Sequence, residues 1–215
     1  MEVNSQVQWG LVTGIGLIGG IYSIYLYRIC LENLKAGETS GVLRKVVKNR
    51  ISKRDSLQLL IMTLLSVYAA AVFGFPTITY FGYLMFSGML CLLARIDMEE
   101  RIVPDTILIR WLILIAVYIA TVRNINFLLN RLTGALVVGA VMGGFYFLRR
   151  DSIGLGDIKL LMVCGLMKGF PGIISYLFRC LLLGLLFAVF MLVRKKGSMK
   201  TEIPFVPFLF LGALL

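Results

Sequence analysis

The sequence predicts an all-α protein, a polytopic membrane helical bundle of about six to eight transmembrane segments. Three observations lead there. Hydrophobic residues make up 59% of the 215 positions and charged residues 15%, against roughly 25% charged in a soluble domain, and mean hydropathy is +0.90. The apolar residues fall into runs near the roughly 20 residues a helix needs to cross a bilayer. The charges, net +11, gather between those runs.

The runs are Trp9–Tyr27, Leu57–Phe75, Ile78–Ile96, Thr106–Val122, Leu132–Leu148, Ile158–Phe170, Ile173–Val193 and Ile203–Leu215. The sixth and eighth are short, as tilted helices or half-helices among neighbours would be; irregular backbone at membrane depth is tolerated only inside protein. Gly14, Gly16, Gly19, Gly20, Gly139, Gly143 and Gly144 stand within helices, as close packing in lipid requires. Met1 to Gln6 lack the positive region of a cleaved signal, and no small-residue cleavage site follows, so the first helix is expected to be retained. One integral membrane domain over 1–215 is expected, with a basic loop at about 28–56, possessing an amphipathic stretch at Val42–Ile51 and too short to fold alone.

Charge sets the orientation. Arg28, Lys35, Arg44, Lys45, Lys48, Arg50, Lys53 and Arg54 follow the first helix. On alternation, Arg95 and Arg101, then Arg149, Arg150 and Lys159, then Arg194, Lys195, Lys196 and Lys200 fall on that same side. The other side keeps Arg123, Arg131, Lys168 and Arg179. The crowded side is cytoplasmic by the positive-inside rule. Nucleic acid is not an expected partner, because no aromatic and basic stripe accompanies the charge; the lipid bilayer is.

Two carboxylates stand where apolar segments meet that side: Asp97, opening Asp97-Met98-Glu99-Glu100-Arg101-Ile102-Val103-Pro104-Asp105, and Asp157, closing Gly154-Leu155-Gly156-Asp157. Acids at the edge of hydrocarbon are costly and usually functional. The chain has no histidine, which excludes His-based metalloprotease and Ser-His chemistry. Cys30, Cys91, Cys164 and Cys180 form no C-x-x-C pair, so no metal site and no cofactor are expected. Two aspartates in a low-dielectric site do not both ionise readily. One keeps a proton and polarises a carbonyl while the other activates water. Gly154 and Gly156, lacking Cβ atoms, would let the backbone approach an extended substrate. The other reading of Asp97 and Asp157 is that each merely starts a helix, where a carboxylate complements the dipole.

Gly154-Leu155-Gly156-Asp157-Ile158-Lys159-Leu160-Leu161, followed by Gly165 and Gly169-Phe170, resembles the signature of the prepilin peptidases, GxGD-type membrane aspartyl proteases. Asp97, followed after six residues by Pro104-Asp105, is similar to that family's first aspartate motif. Ile203-Pro204-Phe205-Val206-Pro207-Phe208-Leu209 is similar to its Pro-Phe-Gly-Pro-Phe-Leu pattern. The resemblance implies Asp97 and Asp157 as a catalytic pair at the cytoplasmic face of the cell membrane. It also implies pilin or pseudopilin precursors as partners, each with a short basic leader cut after a glycine.

Departures from the family pattern are informative. The larger members carry paired C-x-x-C motifs in the first cytoplasmic loop and N-methylate the new terminus from S-adenosylmethionine. This loop has none, so methyltransferase activity is not expected and the chain resembles the compact members. Gly19-Gly20-Ile21-Tyr22-Ser23 has serine where asparagine is usual. Val206 replaces a glycine, with an expected effect on packing but no contact with either carboxylate.

Neighbouring charges have two readings each. Glu99, Glu100 and Arg101 form either a recognition site for a basic leader, the glutamates supplying the attraction, or a solvated loop. Asp105 is expected to cap the fourth helix. Lys159 either lowers the pKa of Asp157 or snorkels to headgroups. The alternatives to a peptidase are a proton-coupled transporter using the interfacial aspartates and an inactive assembly partner.

Overall fold

The computed structural model describes residues 2–36, 52–148, 154–194 and 204–215. Most of the 28–56 loop, the stretch Val42–Ile51, and Arg149, Arg150, Lys195, Lys196 and Lys200 lie outside the described residues. Among those described there are eight helices and no strand: α1 (Glu2–Ala36), α2 (Lys53–Phe73), α3 (Ile78–Glu100), α4 (Asp105–Val122), α5 (Ile125–Leu148), α6 (Leu155–Lys168), α7 (Gly172–Val193) and α8 (Val206–Leu214). The expected fold class holds. Six helices are long and apolar enough to cross a membrane: Gln8–Cys30 within α1, and α2, α3, α4, α5 and α7. The short pair, α6 and α8, have 14 and 9 residues, about 21 and 13 Å at 1.5 Å per residue.

Apolar side chains stand outward as well as inward. Phe178, Leu181, Leu182, Leu185 and Leu186 of α7 are all exposed, the arrangement of a helix that meets lipid rather than water.

Two helix ends differ from expectation for physical reasons. α5 begins at Ile125 rather than Leu132. The Asn124 side chain accepts from the N–H groups of Asn126 and Phe127 (2.9 and 3.3 Å) and so caps a helix whose Asn126, Asn130 and Arg131 lower the hydropathy of its first two turns. α3 runs past Ile96 to Glu100, which carries Asp97 inside the helix.

The chain divides into two compact units, Met1–Leu92 and Leu93–Leu215, the division falling within α3. In the first unit α1 and α2 run antiparallel, because the paired positions climb on one as they fall on the other. Arg28 meets Asp55 at 2.7 Å, the Gln58 amide donates to Ser23 Oγ at 2.6 Å, and the Ser66 hydroxyl donates to the Val12 carbonyl at 2.6 Å. Ser23, Asp55, Gln58 and Ser66 are buried, and in hydrocarbon such bonds hold helices together. The glycines allow the approach: a Cβ at Gly16 would stand 2.8 Å from Thr63 Cα, and one at Gly20 would stand 3.2 Å from Leu59 Cα.

In the second unit α6 is central, packed on α4, α5 and α7, while α8 packs on α7. Ile158, Leu160, Leu161, Val163, Cys164, Gly165 and Met167 of α6 are all buried. Gly165 crosses Gly134 of α5 so closely that a Cβ on either would lie 2.7 Å from the other's carbonyl oxygen. The Phe170 N–H donates to the carbonyl and side-chain oxygens of Asn130 (3.1 and 2.9 Å), which fastens the α6–α7 turn to α5. The Tyr176 hydroxyl donates to the Leu209 carbonyl at 2.7 Å and ties α8 to α7.

At the opposite end of α6, Lys159 reaches both carboxylate oxygens of Asp105 at 2.9 and 2.7 Å. Asp105 is the first residue of α4 behind an N-cap Pro104, not the cap itself, and Lys159 turns to Asp105 rather than to Asp157. Both side chains are more than half exposed, where screening leaves a pair about 1 kcal/mol or less. Lys159→Ala is expected to move the thermal midpoint by no more than about 3 °C, read by unfolding in detergent.

Candidate active site

Asp97 and Asp157 reach one cavity from opposite ends of two helices. Asp97 lies in the last turn of α3, where its backbone carbonyl accepts the Arg101 N–H at 3.1 Å. This rules out the helix-start reading for Asp97, since the C-terminal dipole opposes a carboxylate. α3 stops at Arg101, which adopts left-handed φ 54°, a conformation uncommon outside glycine. Asp157 lies in the first turn of α6, three residues past the N-cap Gly154, where the dipole favours negative charge.

Asp97, Arg101, Ile102, Val103, Gly154, Gly156, Asp157, Pro204 and Phe205 line the cavity, whose volume is about 390 Å³. Asp97 is only 7% exposed, yet its Oδ2 accepts the Val206 N–H at 2.9 Å. That corrects the expectation that position 206 touches neither carboxylate: the contact runs through the backbone, which glycine or valine supplies alike. Arg101 places a positive charge near Asp97. Asp157 is held above the usual carboxylate range, first by burial and then by the negative charge of Asp97.

The two glycines have distinct settings. Neither has a positive φ. A Cβ at Gly156 would press on Val103 Cβ at 3.2 Å, and one at Gly154 would stand 3.4 Å from Asp157 Oδ2. Gly156 thus lets α6 seat against the chain after α3, and Gly154 keeps the approach to the carboxylate open. Glu99 and Glu100 are exposed on the final turn of α3 and do not line the cavity; Glu99 lies 3.9 Å from Arg95. The residues that sequence reasoning missed as site components are the wall formed by Ile102 and Val103 and the amide of Val206. The Pro-Phe-x-Pro-Phe pattern was the available signal for the latter.

The prepilin leader peptidase/N-methyltransferase of Pseudomonas putida is 30% identical over 195 residues, covering 84% of this chain and 66% of that protein. The protein of that name from Stutzerimonas stutzeri is 30% identical over 169 residues, 75% of this chain and 57% of its own length. The one from Bacillus subtilis strain 168 is 28% identical over 156 residues, 69% and 60%. A model of the type IV leader peptidase family matches residues 84–189. The chain belongs to the type IV leader peptidase family. The matched region contains both aspartates, and membership together with six membrane-crossing helices makes this type IV leader peptidase relative a multi-pass membrane protein. It spans less than two thirds of the length of these relatives. No solved structure matches it significantly.

Proposed function

We propose that the chain is a membrane aspartyl endopeptidase that removes the basic leader of type IV pilin-like precursors, cutting after a glycine at the cytoplasmic face. The observation that carries this reading is the meeting of Asp97 and Asp157 in one cavity edged by Gly154. The relatives' names supply the substrate class, and the uneven distribution of Lys and Arg supplies the side.

Two carboxylates facing one small cavity share a proton rather than ionise together. The Val206 N–H donates to Asp97, an interaction that serves an anion, so Asp97 is the base and the proton resides on Asp157. Asp97 takes a proton from water as the water oxygen attacks the scissile carbonyl, while Asp157 gives its proton to the carbonyl oxygen. Collapse returns that proton to Asp157, and the proton held by Asp97 leaves on the departing amine. Gly154 and Gly156 would receive the extended backbone around the cut. Glu99 and Glu100, outside the cavity and facing solvent, would draw the basic leader. The proposal is confined to proteolysis; N-methylation is not included.

The test is co-expression with a pilin-like precursor, with the product terminus read by mass spectrometry for the intact chain, Asp97→Asn and Asp157→Asn at equal membrane levels. A product beginning just after a leader glycine, made only by the intact chain, is expected. Cleavage by both variants would end this assignment.

Position 206 makes a separate prediction. Val206→Gly keeps the N–H and should cleave within about threefold of the parent, since the side chain is not the donor. Val206 is fully buried, so stability should fall by about 1–3 kcal/mol. Rate at matched protein level and the unfolding midpoint separate the two effects; a lost rate at unchanged stability would place the contact in the side chain.

A further inference from the structure

An apolar groove opens beside the catalytic cavity. Val103 and Asp157 line the catalytic cavity, and two residues further along each of these segments Asp105 and Lys159 line a second cavity of about 350 Å³ between α4, α5 and α6. This cavity shares Leu112 and Leu166 with a third, of about 490 Å³, which ends at Arg123 and Asn124. The two make one groove. Its α4 wall is a single stripe, Leu108, Leu112, Ala116, Ile119 and Arg123, at the three- and four-residue spacing of one helix face. The other wall is α5, from Ala135 back to Leu128, with Leu166 of α6 between them. From Asp105 to Arg123 α4 rises about 27 Å, close to the roughly 30 Å of bilayer hydrocarbon.

Position and chemistry together say what fits. The groove begins where a peptide held between Asp97 and Asp157 would leave the catalytic cavity, so a chain cut there continues into it. Between the Asp105–Lys159 pair and Arg123 the lining side chains are Leu, Ile, Val, Ala and Met, which bring no nitrogen or oxygen to meet an open backbone. An occupant must be apolar and must satisfy its own N–H and C=O groups, as a helix does. Charge gives the direction. Glu99 and Glu100 are exposed on the last turn of α3, opposite in sign to a basic leader. Acidic surface, catalytic cavity and apolar groove thus follow one another in the order of leader, cut bond and apolar segment.

We propose that the groove between α4 and α5 seats an apolar helix of the precursor, the segment that directly follows the cut bond. The assignment rests on the proteolytic reading and adds to it the surface that holds the substrate. A helix of about 18 residues matches the groove from end to end. Binding energy gathered along α4 and α5, away from the reacting bond, then sets the depth at which that bond meets the two aspartates.

The test uses the full chain in membranes with a co-expressed pilin-like precursor. With p-benzoylphenylalanine in place of Leu112, in the Asp157→Asn chain so that the precursor stays uncut, irradiation should join the two proteins. The same group in place of Leu185, exposed on α7, should capture lipid instead. Ala116→Phe fills the groove from an exposed position and should raise the precursor KM about tenfold with kcat nearly kept. Val117→Phe, exposed on the same helix and lining neither part of the groove, should stay within about twofold of the parent. Should Ala116→Phe not accumulate, Ala116→Leu is read in the same way. Equal KM for the parent and Ala116→Phe, or capture of lipid alone at Leu112, overturns the groove and leaves the protease standing. A parent that cuts no precursor removes the proteolytic reading, and the groove assignment with it.

Discussion

Asp157→Asn and Asp97→Asn are each expected to lower cleavage of a pilin-like precursor by about 10³-fold or more, with no loss of protein from the membrane. Asparagine at 97 still offers an oxygen to the Val206 N–H, so the fastening between the end of α3 and the start of α8 survives and only the proposed base is removed. Asparagine at 157 cannot deliver a proton as a carboxylic acid does. The parent's rate should trace a bell against pH, falling on the acid limb as Asp97 gains a proton and on the basic limb as Asp157 loses one. Because burial and Asp97 hold Asp157 above the usual carboxylate range, the basic limb should lie above that of an ordinary carboxylate. Stability supplies an independent check of sign. Below the ordinary carboxylate range Asp157 is protonated both folded and unfolded, and its neutral form costs the fold nothing. As pH rises, the unfolded chain ionises first and the fold loses stability until the raised folded value is passed. Asp157→Asn should therefore gain stability relative to the parent at neutral pH and show no such gain in acid, measured by unfolding across pH.

The second large effect concerns packing. Gly165→Ala is expected to cost about 3 kcal/mol, since the new Cβ would lie 2.7 Å from the Gly134 carbonyl oxygen and 2.8 Å from Ala135 Cα. Those neighbours are backbone, which no rotamer change can move aside. Helices α5 and α6 must part. Asp157 sits eight residues before Gly165 on α6, so cleavage should fall together with stability. Gly143→Ala is the control: nothing lies within 4 Å of its Cβ position, and helix propensity alone predicts a gain of up to about 1 kcal/mol. Unfolding in detergent distinguishes the two substitutions directly.

All eight apolar runs correspond to helices, because hydrocarbon leaves the backbone few other ways to satisfy its hydrogen bonds. Their ends were less legible. Hydropathy stopped the third run at Ile96, whereas hydrogen bonding continues α3 through Asp97 to Glu100, and Asn126, Asn130 and Arg131 concealed the first turns of α5. Asp97 and Asp157 stood out as acids at apolar borders, and the structure brings both to one cavity. The Val206 donor was not legible as a contact, because every residue except proline carries an N–H and its aim is set only by the fold. Lys159 illustrates the same limit. Its proximity in sequence pointed to Asp157, two residues away, but successive positions on a helix face different directions, and its partner is Asp105.

The bond from Val206 to Asp97 joins residues 109 positions apart. During synthesis, at about 5–20 residues per second, Asp97 emerges several seconds before its donor exists. A nascent chain carrying both aspartates therefore still lacks the amide that meets Asp97, which arrives only with α8. Premature termination before Phe205, whose backbone also meets Asp97, would leave a protein with both acids in place and neither amide to hold Asp97.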